Sequence, residues 1–243
     1  MCIRDSFMTD TTKKKQLFFD FGRDYDASLK NFFFSSSNRV LKQYLDQFLE
    51  TDSKSDAFFF GDKASGKTFL LNSIINENEK DHRKSLYIDL SKLDGDEPYF
   101  QGLSSFNLIC LDNIDQASSN TQIQVFNLIN ELKTSGSTLF ICSTFSLQNI
   151  NCFPDLQSRL SAMSAFHLKP IKNEEVEEVI MFVSSRLNLN FNLDLANYFA
   201  RFIKRTFIEI KNSLIELDKF IYSEKRELSK KTLSEFLKKK SNL

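Results

Sequence analysis

The 243-residue chain has no tryptophan, no excess of either charge and no long apolar run. Lys and Arg together number 32, as do Asp and Glu, so bulk charge does not favour a stand-alone DNA-binding protein. No apolar run approaches the roughly 18 residues that a membrane-spanning helix requires, and the start lacks a secretory pattern. We therefore expect a soluble, cytoplasmic protein without a membrane partner.

Residues that support metal binding or covalent catalysis are also few. The two histidines, His82 and His167, lack the neighbours that a metal site or a nucleophile triad would need. The cysteines show no C-x-x-C spacing, and we interpret them as reduced core residues of a cytosolic protein. They are Cys2, Cys110, Cys142 and Cys152.

Glycine and proline are scarce, and their positions divide the chain. All six glycines and three prolines occur at or before Pro170. In this part, residues 22–170, short apolar runs alternate with helical patterns, which predicts an α/β domain with a five-stranded parallel sheet. The predicted strands are residues 57–60, 85–90, 107–112, 138–144 and 165–170, and the predicted helices are residues 38–49, 67–76 and 121–133.

The remaining part, residues 171–243, has amphipathic segments and no strand pattern. Segments with helical spacing and no intervening glycine or proline predict a small all-helical domain. The predicted helices are residues 173–187, 193–204, 209–223 and 231–239.

The N-terminal residues differ from both domains. Residues 1–15 are expected to be a disordered tail. Its first seven residues, MCIRDSF, resemble an added extension, and Met8 is a plausible natural start. The next stretch, QLFFDF (residues 16–21), is apolar at four of six positions but too short to form an element of its own. It is either an exposed peptide ligand or a first strand or strap across the core.

The stretch GDKASGKT, from Gly61 to Thr68, matches the phosphate-loop pattern G-x-x-x-x-G-K-[ST] between a predicted strand and a predicted helix. Glycines let backbone N–H groups approach phosphate oxygens, and the following helix N-terminus favours negative charge. Lys67 is expected to reach the β- and γ-phosphates, and Thr68 to ligate Mg²⁺. Asp112 ends an apolar run where a carboxylate would face the metal, although a turn-capping role is the alternative.

These motifs, together with SSSNRVLKQYL (35–45), FPDLQSRL (153–160) and the N-terminal QLFF, resemble the DnaA/Hda family of AAA+ proteins. The resemblance extends from about Gln16 to the C-terminus. It implies an AAA+ P-loop NTPase core followed by a helical lid domain, with ADP or ATP and Mg²⁺ as cofactors. The implied nucleotide-binding residues are Gly61, Asp62, Lys63, Ala64, Ser65, Gly66, Lys67, Thr68, Phe69, Asp112, Asn113 and Thr144, of which Thr68 and Asp112 would hold Mg²⁺.

Three positions matter most in this comparison. ATP-consuming AAA+ proteins usually have a second acid after the metal-binding Asp, but here Asn113 follows, and an amide cannot act as a carboxylate base. Arg159 matches the arginine finger that acts in trans on a neighbour's γ-phosphate, although a surface arginine paired with Asp155 or another carboxylate is the alternative. The family's lid arginine is replaced by Ile208, unless Arg205 takes that role.

The resemblance implies a regulator of replication initiation. It would hold ADP and dock on the β sliding clamp of DNA polymerase III, reaching DNA indirectly. The docking peptide would be formed by Gln16, Leu17, Phe18, Phe19 and Phe21. Arg159 would then stimulate ATP hydrolysis by DnaA and prevent re-initiation.

Two alternatives remain open at the level of sequence. One is a self-sufficient ATPase or helicase loader acting on DNA, against which Asn113 and the end of the chain at Leu243 argue, since DnaA continues into a helix-turn-helix domain. The other is a tether without a catalytic contribution. Residual enzymatic activity and homo-oligomer formation are left undecided.

Overall fold

The computed structural model of the chain describes residues 23–51 and 54–241. The predicted tail (residues 1–15) and the predicted docking peptide (residues 16–21) lie outside the described residues. Within the described ranges, no helix combines the length and the apolar character needed to cross a lipid bilayer.

Five parallel strands form one sheet, which confirms the sequence-based prediction. Their order across the sheet is β2-β3-β4-β1-β5, so β1 lies between two strands that come much later in the chain. Because all strands point the same way, their carboxyl ends meet at one edge of the sheet. The strands are β1 (Ala57–Phe60), β2 (Ser85–Asp89), β3 (Leu108–Asp112), β4 (Thr138–Ser143) and β5 (Ser164–His167).

Helices cover both faces of the sheet. Successive strand side chains point to opposite faces, and therefore Phe58 packs with α3 and α4 while Phe59 packs with α1 and α2. These two apolar layers explain why the central strands are apolar at almost every position. The helices are α1 (Arg39–Glu50), α2 (Lys67–Lys80), α3 (Ser119–Leu132) and α4 (Pro154–Ser161). Short 3-10 turns span Leu29–Asn31, Ser36–Asn38, Leu90–Lys92, Leu103–Ser105, Ile114–Gln116 and Asn173–Glu175.

Four C-terminal helices follow β5 and have an apolar core of their own, in which Val179, Phe199 and Leu214 are fully buried. Several boundaries differ from the prediction: α2 extends to Lys80 rather than to Asn76, β5 ends at His167 rather than at Pro170, and α6 ends at Ala200 rather than at Lys204. The chain leaves the helix there so that Thr206 can cap α7, its side chain accepting a hydrogen bond from the backbone N–H of Glu209. The helices are α5 (Val176–Arg186), α6 (Leu193–Ala200), α7 (Phe207–Glu224) and α8 (Lys230–Ser241).

Residues 23–38, which we call the bridging segment, connect the sheet to the C-terminal helices. The Asn38 side chain donates a hydrogen bond to the Lys169 carbonyl and accepts one from the Lys169 N–H, both at 3.0 Å. The Glu175 carboxylate accepts from the backbone N–H of Ser36 at 2.6 Å. The Arg186 guanidinium donates to the Lys30 carbonyl at 2.7 Å. The segment therefore fixes one side of the space between the two parts.

Candidate nucleotide-binding site

A cleft of ≈ 1290 Å³ lies where the phosphate loop, the bridging segment and the C-terminal helices meet. This volume is large enough for a nucleotide. Two predicted residues, Gly61 and Asp112, are not part of the lining but lie directly behind it. The predicted residues that line the cleft are Asp62, Lys63, Ala64, Ser65, Gly66, Lys67, Thr68, Phe69, Asn113 and Thr144.

The loop between β1 and α2 has the backbone that its glycines predict. A Cβ atom on Gly61 would lie 2.5 Å from the Leu168 carbonyl oxygen, so no larger residue fits there without a backbone shift. Gly66 has φ +93°, a left-handed conformation that glycine adopts without strain, and it forms the N-cap of α2. The loop thus ends at the N-terminus of a 14-residue helix, where the helix dipole and free N–H groups favour a phosphate group.

Lys67 is held inside the loop. Its side chain is buried, and Nζ donates to the carbonyl oxygen of Gly61 at 2.6 Å and to that of Asp62 at 2.9 Å. Ser65 Oγ lies 3.4 Å from the same nitrogen. A buried ammonium held only by neutral acceptors has no counter-charge of its own. An anionic ligand in the cleft would supply that charge.

Thr68 and Asp112 are brought together at the carboxyl edge of the sheet. Thr68 Oγ1 donates to Asp112 Oδ2 at 2.5 Å, and the Tyr87 hydroxyl donates to the same oxygen at 3.1 Å. Burial raises the pKa of Asp112, and the hydrogen bonds from Thr68 and Tyr87 partly offset that effect. A hydroxyl and a carboxylate oxygen are donors of the kind that Mg²⁺ prefers. These residues therefore fit the predicted metal role, with Mg²⁺ favouring the ionised form of Asp112.

Asn113 lies beside a carboxylate that the sequence analysis missed. Its backbone is left-handed, with φ 57° and ψ 41°, a conformation that Asn tolerates better than most residues. Asn113 Nδ2 donates to Asp89 Oδ1 at 2.8 Å. Asp89 ends β2 and lies opposite Asp112 in the sheet register. An acid at the carboxyl end of a predicted strand was therefore the signal that could have identified Asp89 as a site residue.

Thr144 follows β4 and lines the cleft near Asn113. Its backbone N–H donates to Asp115 Oδ1 at 2.8 Å. The sequence analysis also missed Asp115 and Tyr87. For Tyr87 the available signal was a hydroxyl in a buried strand, because a buried phenol needs a hydrogen-bond partner. Asp115 holds Thr144, which lines the cleft, and Tyr87 holds Asp112, which lies directly behind the lining.

The C-terminal helical part contributes both of the residues considered for the position of the family's lid arginine. Ile208 and Arg205 each line the cleft, and Ile208 is partly exposed there. Lys211, one turn beyond Ile208, also lines it, with Nζ 6.0 Å from the centroid of the Phe69 ring. The structure therefore brings an apolar side chain and two cations to the lid side of the cleft.

Arg159 lies elsewhere, on α4, and is not among the residues that line the cleft. Its guanidinium carbon is 5.8 Å from the centroid of the Phe126 ring, and Phe126 in turn contacts Phe153 edge-on. In the part of the chain that the structure describes, Arg159 forms no ion pair, with Asp155 or with any other acid. The structure therefore does not contain the alternative ion pair between Arg159 and Asp155.

Comparisons with known proteins bear on the fold of the chain. No protein-family model matches the chain. An uncharacterized protein of Haemophilus influenzae is 29% identical over 214 residues, which cover 84% of this chain and 90% of that protein.

Two solved structures resemble the whole arrangement of sheet and helices. Domain III of the replication initiation protein DnaA from Thermotoga maritima has a TM-score of 0.74 and 20% identity, covering 89% of this chain and 98% of that one. AMPPCP-bound DnaA from Aquifex aeolicus has a TM-score of 0.69 and 22% identity, covering 82% of this chain and 66% of that one. The parallel sheet, the flanking and C-terminal helices and these likenesses show that the chain has the AAA+ P-loop NTPase fold.

Proposed function

We propose that the chain is a nucleotide-bound adaptor of the Hda type, which docks on the sliding clamp and stimulates ATP hydrolysis by DnaA. The observation that carries this proposal is the position of Arg159. The side chain lies away from its own cleft, rests on Phe126 and has no acidic partner among the described residues. A guanidinium so placed is available to a γ-phosphate on another protomer.

The nucleotide is held in the cleft between the phosphate loop and the lid. Lys67 contacts the phosphates, and Thr68 and Asp112 hold Mg²⁺, which neutralises phosphate charge when bound. The AMPPCP bound by the Aquifex aeolicus protein supports a nucleotide of this class. ADP is the form we assign to the resting adaptor.

Hydrolysis by the chain itself is weak. Asn113 occupies the position after Asp112 and lines the cleft, and its amide cannot take a proton from water as a carboxylate does. The nucleotide is then a structural ligand that stabilises the fold. Binding of ADP should raise the melting temperature in proportion to the logarithm of its concentration once the site is saturated.

Docking on the clamp is assigned to residues 16–21. A short apolar peptide at the end of a chain can enter a preformed hydrophobic groove. The bridging segment begins two residues later, at Arg23, and its residues Asp24 and Asp26 line the cleft. The peptide is therefore close in sequence to the nucleotide site.

The deciding experiment mixes the ADP-bound chain, DNA-loaded clamp and ATP-bound DnaA, and measures phosphate release. Arg159→Ala should lower the stimulated rate by roughly 10³-fold, because a finger of this kind contributes about 10³ to 10⁵ to the rate. The matched control is Arg201→Ala, which removes an exposed arginine just after α6. Gln16→Ala should reduce only the part of the stimulation that depends on the clamp.

Other outcomes identify the alternatives. Full stimulation by Arg159→Ala would mean that the chain is only a tether. Rapid ATP turnover by the chain without DnaA would mean that it is a self-sufficient ATPase.

A further inference from the structure

The pair formed by Asp89 and Asn113 is the feature of the cleft that the proposed function leaves unexplained. Asp89 Oδ1 accepts hydrogen bonds from the Ser91 N–H at 3.1 Å, the Ser91 hydroxyl at 2.7 Å and Asn113 Nδ2 at 2.8 Å. An ionised carboxylate can only accept, so the Asn113 amide must turn its NH₂ group toward Asp89. The hydrogen bond to Asp89 therefore determines which end of the Asn113 amide faces away from Asp89.

The other end of the amide is then left for the cleft. Asn113 lines the cleft, and no described residue donates a hydrogen bond to its Oδ1. The neighbouring Asp112 carboxylate is fully buried and accepts from Thr68, Tyr87 and the Asn113 N–H. The free acceptor next to the metal-binding edge is therefore a neutral carbonyl oxygen.

We propose that Asp89 is a positioning residue that turns the Asn113 carbonyl toward a water molecule beside the γ-phosphate. The site then holds the water but has no base to accept its proton. This inference rests on the proposed nucleotide-binding function and adds a cause for weak hydrolysis. An acid at position 113 would need an amide at position 89. Two carboxylates at these positions would face each other at hydrogen-bond distance and repel.

Exchanging the two side chains tests the pairing. Asn113→Asp alone places two carboxylates together, whereas Asp89→Asn with Asn113→Asp restores an amide–carboxylate hydrogen bond with the acid on the cleft side. In that double variant the carboxylate accepts the water proton while the water oxygen attacks the γ-phosphorus. The bond to the β-phosphate oxygen then breaks, and ADP leaves with its electron pair.

The substitutions suit the local backbone. Asp tolerates the left-handed conformation of position 113 nearly as well as Asn does. In the double variant the amide introduced at position 89 must turn its NH₂ group toward position 113, at the place where Asp89 Oδ1 also accepts from Ser91, so the cap at the start of the Leu90–Lys92 turn is weakened. The melting temperature of each variant, with and without ADP, checks folding and nucleotide binding separately from turnover.

We expect steady-state ATP turnover of the double variant to exceed that of the unchanged chain by about 100-fold, the lower range for a positioned base. Asn113→Asp alone should be at least about 10-fold slower than the double variant. The KM for ATP should change less than about 3-fold across the series, because the pair orients water rather than binding phosphate. Asp46→Asn, on the exposed face of α1, is the control for the loss of a carboxylate.

Two results would overturn the inference while leaving nucleotide binding intact. One is equal turnover by Asn113→Asp and the double variant, which would mean that Asp89 does not position residue 113. The other is a double variant no faster than the unchanged chain, although it binds ADP. Failure of the unchanged chain to bind ADP would instead overturn the proposed function as well.

Discussion

The two sides of the cleft differ in how their polar groups are bound. On the core side, Lys67, Thr68, Asp112 and Asn113 each form hydrogen bonds to other residues of the core. On the lid side, the side chains of Arg205 and Lys211 line the cleft without a hydrogen bond or an ion pair to any described residue. The core groups are therefore held before a ligand arrives, and these two cations of the lid are not.

This difference separates two properties of the site. A prepared loop gives affinity, because little ordering is required when phosphate binds. A lid with unpaired cations can change its position when ligand binds, because its charges gain partners only when an anion fills the cleft. Changes to the core should therefore alter whether nucleotide binds, and changes to the lid or its junction should alter stability and closure.

The largest effect is expected from Lys67→Ala, which breaks the core side. The substitution removes the ammonium that would meet the phosphates, and charge-assisted hydrogen bonds contribute about 1.5 to 3 kcal/mol each. ADP affinity, measured by isothermal titration calorimetry, should fall by at least about 100-fold.

A matched control comes from the other end of the same helix. Lys80→Ala removes an exposed lysine whose partner is Glu77, and it should leave ADP affinity within about 2-fold, since exposed pairs contribute little. Equal affinities for Lys67→Ala and the unchanged chain would show that the loop does not bind phosphate.

The core side was also the easier part to predict from sequence. The loop from Gly61 to Thr68 is continuous in the chain, and its local pattern alone specifies a strand, a turn and a helix N-terminus. Five alternating apolar runs were sufficient to predict a parallel sheet. Strand order was not predictable, because nothing local to β1 indicates that it pairs with β4 and β5.

The partners that strand order creates were missed for the same reason. Asp89, Tyr87 and Asp115 contact Asn113, Asp112 and Thr144 only because β2, β3 and β4 are neighbours in the sheet. Each contact joins residues that are 24 to 29 positions apart. On the lid side, the choice between Ile208 and Arg205 depends on where α7 begins, and no local pattern predicts that start to the exact residue.

An intermediate effect is expected at the junction, where Glu175→Gln weakens the contact between lid and core. Burial raises the pKa of Glu175, but hydrogen bonds from the backbone N–H groups of Lys172 and Ser36 outweigh it and leave the pKa below its ordinary value of 4.5. An acid with a lowered pKa stabilises the fold above its ordinary pKa, and that contribution is lost as pH falls below 4.5.

The variant should therefore be less stable than the unchanged chain at pH 7, by about 1 to 2 kcal/mol in urea denaturation, as expected for hydrogen bonds to a charged group. The difference should narrow as the pH is lowered below 4.5, because protonation makes the native carboxyl resemble the amide. Glu174→Gln, at the exposed neighbouring position, should show neither effect. A difference that does not depend on pH would assign Glu175 a packing role instead.

The smallest effect is expected from Lys225→Gly, which changes the C-terminal helices alone. Lys225 ends α7 with φ 51° and ψ 47°, a left-handed conformation that costs a residue with a Cβ atom roughly 1 to 2 kcal/mol and costs glycine almost nothing. Glycine also raises the entropy of the unfolded chain, which lowers the free energy of unfolding by about 0.4 to 1 kcal/mol. The free energy of unfolding should therefore rise by about 0.5 to 1 kcal/mol, whereas Lys219→Gly, in the exposed interior of the same helix, should lower it by about 1 kcal/mol. ADP affinity should stay the same in both variants if the core side alone determines binding, and a matching change in affinity would show that lid stability contributes to it.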